Sequence, residues 1–103
     1  MKKTLNLGVI GIDHGHIFDM LDEMIKEGCS CNYFWTDGDP LTLQEFNKKY
    51  PNIKRVKNKS EILKDNKIDM ILISSVPKDR ATLSIEVLKS GKDVMVDLSL
   101  IHI

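Results

Sequence analysis

The sequence predicts an α/β chain, a doubly wound sheet of about five parallel strands in the order 3-2-1-4-5 with helices on both faces. Three observations predict it. Strand-like and helix-like periodicities alternate as β-α-β-α-β-α-β-α-β along 103 residues. The connections between them are short, which favours parallel strands joined by right-handed crossovers. Met70-Ile71-Leu72-Ile73 is a continuous apolar run, the pattern of a strand covered on both faces.

Leu5, Leu7, Val9, Ile10 and Ile12 form the first strand, ended by Gly11 and the Asp13-His14-Gly15 turn signal. Ile17, Met20, Leu21, Met24 and Ile25 then recur at helical spacing, with Gly28 where a C-terminal cap is expected. The stretch from Cys31 to Trp35 is aromatic and strand-like. Asp37-Gly38-Asp39-Pro40 breaks it and is expected to start a helix, since Pro is tolerated in a first turn. Leu43, Phe46 and Tyr50 mark the buried face of that helix, and Pro51 ends it. A short strand around residues 54–57 follows, then a small helix over Ser60-Glu61-Ile62-Leu63 with Ser60 as its cap. After the strand at Met70, Pro77 opens a helix through Leu83, Val87 and Leu88, stopped by Gly91. Val94-Met95-Val96 is the last strand.

Composition narrows the function classes. Hydrophobic residues make up 42% and charged residues 29%, a globular balance, and the net charge is zero. That argues against a chain built as a whole for nucleic acid or an anionic membrane, and no apolar run is long enough to span a bilayer. The charge is uneven: residues 1–47 carry −5, residues 48–67 carry +6 and residues 68–103 carry −1. No aromatic or arginine cluster interleaves the basic block, so it reads as a solvated edge rather than an anion-binding face. Met1-Lys2-Lys3 resembles a secretory n-region, but Asn6 breaks the stretch behind it and Asp13-His14 stops it, so no signal peptide is expected. Cys29 and Cys31 are too close for an ordinary disulfide and read as small half-buried residues of a reduced, cytoplasmic chain.

In such a sheet, ligands sit beyond the carboxyl ends of the strands. The first strand end reads Gly11-Ile12-Asp13-His14-Gly15-His16, where a dinucleotide turn would read G-x-G-x-x-G. The first Gly is present. Asp13 stands at the second Gly, His16 stands at the third, and Gly15 is one place early. Asp13 would repel a phosphate and suits a helix N-cap equally well. Asp37 follows the second strand, 26 residues after Gly11, near the spacing of the acid that holds an adenosine ribose. A carboxylate there favours NAD over NADP, although the same string also reads as a plain turn. His14 and His16 suggest a metal, but no third ligand stands at the right spacing, so no metal is expected. Trp35 reads as core or cleft wall.

Several strings converge on one family. Leu7-Gly8-Val9-Ile10-Gly11, Asp37-Gly38-Asp39-Pro40, Ser60-Glu61-Ile62-Leu63, Ile68-Asp69-Met70-Ile71-Leu72-Ile73 and the run from Leu88 to Val96 resemble the nucleotide-binding domain of the glucose–fructose oxidoreductase / inositol dehydrogenase (Gfo/Idh/MocA) family. The most specific piece is A-L-x-x-G-K-x-V-x-x-[ED], met from Val87 through Gly91, Lys92 and Val94 to Asp97. The resemblance implies a Rossmann-like domain that binds NAD or NADP, coupled in the family to an α+β substrate domain that also mediates oligomerisation. It implies hydride transfer on sugars, polyols and related alcohols. Carried over by position, Gly11 makes the phosphate turn, Asp37 holds the ribose, Ser75, Val76 and Pro77 line the cofactor cleft, and Asp97 matches the acid of an E/D-K-P segment. Branches of the family carry a D-H-x-H turn, so Asp13, His14, Gly15 and His16 stand as cofactor-side candidates.

After Asp97 the family has Lys-Pro, whereas this chain has Leu98, so no catalytic residue is expected here. Residues 98–103 resemble a translated sequencing-adapter tail. The expectation is therefore a dinucleotide-binding domain over residues 1–97, a non-native tail over 98–103, and no substrate domain, the whole inactive alone. A non-catalytic Rossmann-like structural or interaction module is the alternative. A phosphoacceptor receiver domain fits less well, because no Asp ends the third strand and no Lys follows Val96.

Overall fold

The computed structural model describes residues 5–13, 15–74 and 77–96, and for residues 16, 77–80 and 96 the backbone only. Nine elements alternate: β1 (Asn6–Ile10), α1 (His16–Lys26), β2 (Ser30–Trp35), α2 (Leu43–Lys49), β3 (Lys54–Arg55), α3 (Ser60–Leu63), β4 (Met70–Ile73), α4 (Pro77–Lys89) and β5 (Asp93–Val96). The strands form one parallel sheet in the order β3-β2-β1-β4-β5, as expected for a Rossmann-like fold. The chain winds outward from β1 through β2 to β3, then returns to the other side of β1 at β4. Strand order therefore reverses between β1 and β4.

Alternation along the strands builds two core layers. Leu7, Val9, Phe34 and Leu72 face α1 and α2, where they meet Ile17, Leu21, Phe46 and Tyr50. Ile10, Ile71 and Ile73 face α3 and α4, where they meet Ile62, Leu83 and Val87. Complete burial of a side chain such as Ile17 or Leu21 stabilises by about 1.5–3 kcal/mol, and both are fully enclosed. Gly8 lies between these layers on β1, and a Cβ there would stand 2.6 Å from Ile62 Cγ2. The bare backbone lets α3 lie directly on the sheet.

Four local expectations are corrected. Helix α2 opens at Leu43, not at Pro40: residues 40–42 make a preceding turn in which Leu43 N–H donates to the Pro40 carbonyl. Helix α3 has Lys59, not Ser60, at its N-cap. Glu61 reaches back instead, accepting from the Lys57 and Asn58 N–H groups at 3.1 Å each. Leu88 is 60% exposed, because the buried stripe of α4 among the described residues is Leu83 and Val87. Ile25, at the last turn of α1, is 42% exposed and so closes the apolar face only partly.

Two polar residues staple the lower end of the sheet. Asn6 accepts from Ser30 Oγ at 2.7 Å and donates to the Lys67 carbonyl, while its N–H donates to Asp69 Oδ2. Lys92 is buried, and its Nζ donates to the Asp65 and Ile68 carbonyls at 2.6 and 3.0 Å. Most of the basic block lies exposed along and beside β3, the edge strand, as its composition suggested. Both cysteines are half-buried free thiols, and burial pushes the Cys31 thiol up to about 12.

Candidate functional site

The upper strand ends are fastened to one another through Gly11. Its N–H donates to the Trp35 carbonyl at 2.6 Å, and its carbonyl accepts from Ser74 N–H at 3.3 Å. Making both bonds turns the backbone to φ 87°, a conformation that glycine adopts without a Cβ penalty. Ile12 then plugs the core, and Asp13 emerges at the surface. Gly15, not Asp13, occupies the N-cap position of α1 and offers no side-chain cap. A Cβ at Gly15 would meet nothing within 4 Å, so backbone there is openly approachable.

The β2 end is tied to the same turn. The Thr42 hydroxyl, just before α2, donates to the Ile12 carbonyl across the sheet top. Between Trp35 and Thr42 the chain carries Asp37 and Asp39, both exposed. Thr36 precedes them and is buried, its Oγ1 without a hydrogen-bond partner among the described residues. Such an orphaned hydroxyl in the interior costs about 1–3 kcal/mol.

These ends enclose a cleft of about 220 Å³. Gly11, Asp13, Trp35 and Asp37 line one side, and Lys59 with Thr82, Leu83 and Glu86 of α4 lines the other. Pockets that enclose a drug-sized ligand run to roughly 300–1,000 Å³, so this space suits one moiety of a larger molecule. Trp35 forms a fixed wall, because its Nε1 donates to the Lys57 carbonyl at 3.2 Å. Lys59 sits 5.8 Å from the indole centroid and pairs with Glu86 at 2.8 Å. That pair joins α3 to α4; its side chains are about one-third exposed, so it orients the wall more than it stabilises the fold.

The structure thus brings Gly11, Asp13 and Asp37 together and leaves Gly15 nearby at the start of α1. His14, Ser75, Val76, Asp97 and Leu98 lie outside the described residues, and His16 and Pro77 are described only as the first backbone residues of α1 and α4. Among the described residues, no group of three His, Cys, Asp or Glu is placed to hold a metal ion. Lys59, Thr82 and Glu86 were not expected. Lys59 counted only as part of the basic block, and nothing local in the sequence marks Glu86. A flat indole wall, an exposed carboxylate at the β2 end and a turn without a Cβ thus share one cleft. Asp13 adds a carboxylate to the same cleft, which opposes a phosphate placed directly beside it.

Solved structures share this architecture. A protein from Erwinia carotovora atroseptica assigned as an oxidoreductase superposes with TM-score 0.85 and 26% identity, covering 90% of this chain and 28% of that one. A protein from Thermotoga maritima assigned as a dehydrogenase superposes with TM-score 0.67 and 27% identity, covering 89% of this chain and 27% of that one. Biliverdin reductase from Synechocystis, solved with biliverdin and NADP+, superposes with TM-score 0.72 at 16% identity, over 89% of this chain and 28% of its own; this likeness shows the fold alone. The chain thus spans a little over a quarter of the length of each. No protein-family model matches the sequence, and no curated protein sequence matches it.

Proposed function

We propose that this chain is the nicotinamide-dinucleotide-binding portion of an oxidoreductase of the Gfo/Idh/MocA kind. It holds the adenosine end of NAD rather than NADP in the cleft beside Trp35. The observation that carries the reading is convergence. Gly11 and Asp37, which the family resemblance implies make the phosphate turn and hold the ribose, line one cleft at the strand ends. Asp37 would accept from the ribose hydroxyls and repel a 2′-phosphate. The likeness to oxidoreductases and a dehydrogenase supports the same reading. His14, His16, Ser75, Val76, Pro77 and Asp97 remain proposed cofactor contacts by position.

In this reading residues 1–97 form the dinucleotide-binding domain, residues 98–103 are a non-native tail, and a sugar, polyol or related alcohol is oxidised only with a substrate domain. Hydride transfer needs a substrate held against the nicotinamide and a positioned acid or base. Leu98 stands where the family's Lys would be, so the chain alone is proposed to bind cofactor without turnover, in a reducing cytoplasm. The coding sequence downstream of codon 97 tests the domain assignment: Lys-Pro and a further domain support it, and a continuation that keeps Leu98-Ser99 overturns it.

Titration with NADH tests the binding. Trp35 is the sole tryptophan and walls the cleft, so saturable quenching of its fluorescence is expected. Gly11→Val and Asp37→Ala should abolish or sharply weaken it. No binding at millimolar NADH overturns the proposal. Asp13 in the cleft is the observation that favours the rival, a non-catalytic Rossmann-like module, and that rival predicts no saturation.

A further inference from the structure

The segment that carries Asp37 is gripped from an unexpected direction. Arg55 lies on β3, paired with Phe34 of β2, and reaches over the strand end. Its Nη2 donates to the Thr36 carbonyl at 3.2 Å and to the Gly38 carbonyl at 2.6 Å. Those two carbonyls flank Asp37. Its Nη1 reaches Asp39 Oδ1 at 3.3 Å. Gly38 has φ 65°, so the chain folds back sharply at this point and brings both carbonyls to one nitrogen. The other end of the segment is tied by Thr42 to the Ile12 carbonyl. Asp37 is therefore exposed at the cleft yet sits on a turn held at both ends.

We propose that Arg55 is a positioning and specificity-determining residue, resting on the reading of the cleft given above. It presets the Asp37 turn for an unphosphorylated ribose. A guanidinium fork spans three acceptors at once, which the single ammonium of a lysine does not do with comparable geometry. Because the fork already holds two carbonyls and Asp39, it is committed to the turn rather than offered to a 2′-phosphate. Preorganisation of this kind raises affinity by removing the ordering cost at the moment of binding. In this proposal Arg55 acts through the turn that carries Asp37 rather than on the cofactor itself.

The test compares NADH and NADPH binding to the whole chain and to Arg55→Met and Arg55→Lys, with far-UV circular dichroism to verify the fold. Loss of the grip should raise the Kd for NADH about tenfold, the worth of one or two net hydrogen bonds. NADPH should weaken less, so the preference for NADH narrows. Arg55→Lys keeps the charge and loses the fork, and it should behave like Arg55→Met. If Arg55→Met instead weakens NADPH more than NADH, Arg55 is a phosphate ligand and the proposal falls. It falls equally if Arg55→Lys restores parental binding, or if neither variant changes the NADH to NADPH ratio. Failure of the parent chain to bind NADH removes the reading of the cleft and this inference together; parental binding with unaltered variants removes this inference alone.

Discussion

Gly8→Ala is the substitution that most directly probes how the sheet carries the cleft. A Cβ at Gly8 would lie 2.6 Å from Ile62 Cγ2 and 3.2 Å from Ile68 Cδ1. Comfortable carbon contacts begin at about 3.5 Å, so roughly an ångström must be found. Strand β1 is central and hydrogen-bonded to both β2 and β4, so it does not yield. The four-residue helix α3 must move, and with it Lys59 at the cleft wall. Overpacking of this size costs about 1–3 kcal/mol. Stiffening the unfolded chain returns about 0.4–1 kcal/mol, leaving at the middle of both ranges a net loss of about 1.3 kcal/mol. Ile62→Ala alone should cost about 2–5 kcal/mol through the cavity it leaves. Combined, the two changes relieve each other, because the alanine methyl enters space that Ile62 vacates. Urea unfolding followed by Trp35 fluorescence gives all four corners of the cycle. A coupling of about 1 kcal/mol or more in the favourable direction is expected. Additivity within about 0.5 kcal/mol, or a Gly8→Ala chain as stable as its parent, would refute the reasoning.

Three further outcomes follow from buried or paired polar groups. Thr36→Val removes a hydroxyl that is buried without a partner among the described residues, so the urea midpoint should rise by the equivalent of about 1 kcal/mol with an unchanged slope; a fall would mean the hydroxyl is satisfied. Lys92→Met leaves the Asp65 and Ile68 carbonyls without their ammonium donor, and should lower stability by about 1–3 kcal/mol in the same assay. The Lys49 ammonium, then the Tyr50 hydroxyl, hold the Asp22 carboxyl below its usual 3.8. A carboxylate lowered in the folded state stabilises above that value and loses the effect as pH falls through the folded one. Asp22→Asn should therefore be less stable than the parent at neutral pH, with the gap closing in acid below 3.8; a gap that persists there would sink the assignment.

The fold was legible because its signals are periodic and local. The apolar run at Met70–Ile73 reads as a strand covered on both faces, and its three residues from Ile71 to Ile73 are fully enclosed. Gly11 and Asp37 were legible by position, since strand ends in a doubly wound sheet converge. What stayed hidden depends on partners far apart in sequence. Phe18 follows the buried Ile17 on α1 and lies off its expected apolar face, yet it packs on Phe46 and stacks on Tyr50 of the α2 layer, because α1 meets a helix as well as the sheet. Thr42 occupies the N-cap position of α2, yet its hydroxyl bonds the Ile12 carbonyl, 30 residues earlier, rather than its own helix. Arg55 and Lys59 sat inside a block whose composition said only that it faces water. Their neighbours at Gly38 and Glu86 come from the other side of a crossover, which no local pattern encodes.

The double tie at Gly11 has a consequence for a growing chain. Gly11 is held by Trp35 on one side and Ser74 on the other, and the opposite wall of the cleft comes from Thr82, Leu83 and Glu86. During synthesis the turn therefore emerges long before its partners, and the wall is completed only when α4 has left the ribosome. A small molecule that recognises the finished cleft has nothing to hold on the nascent strand. It stabilises the domain by mass action after folding, rather than templating the order in which the strands assemble.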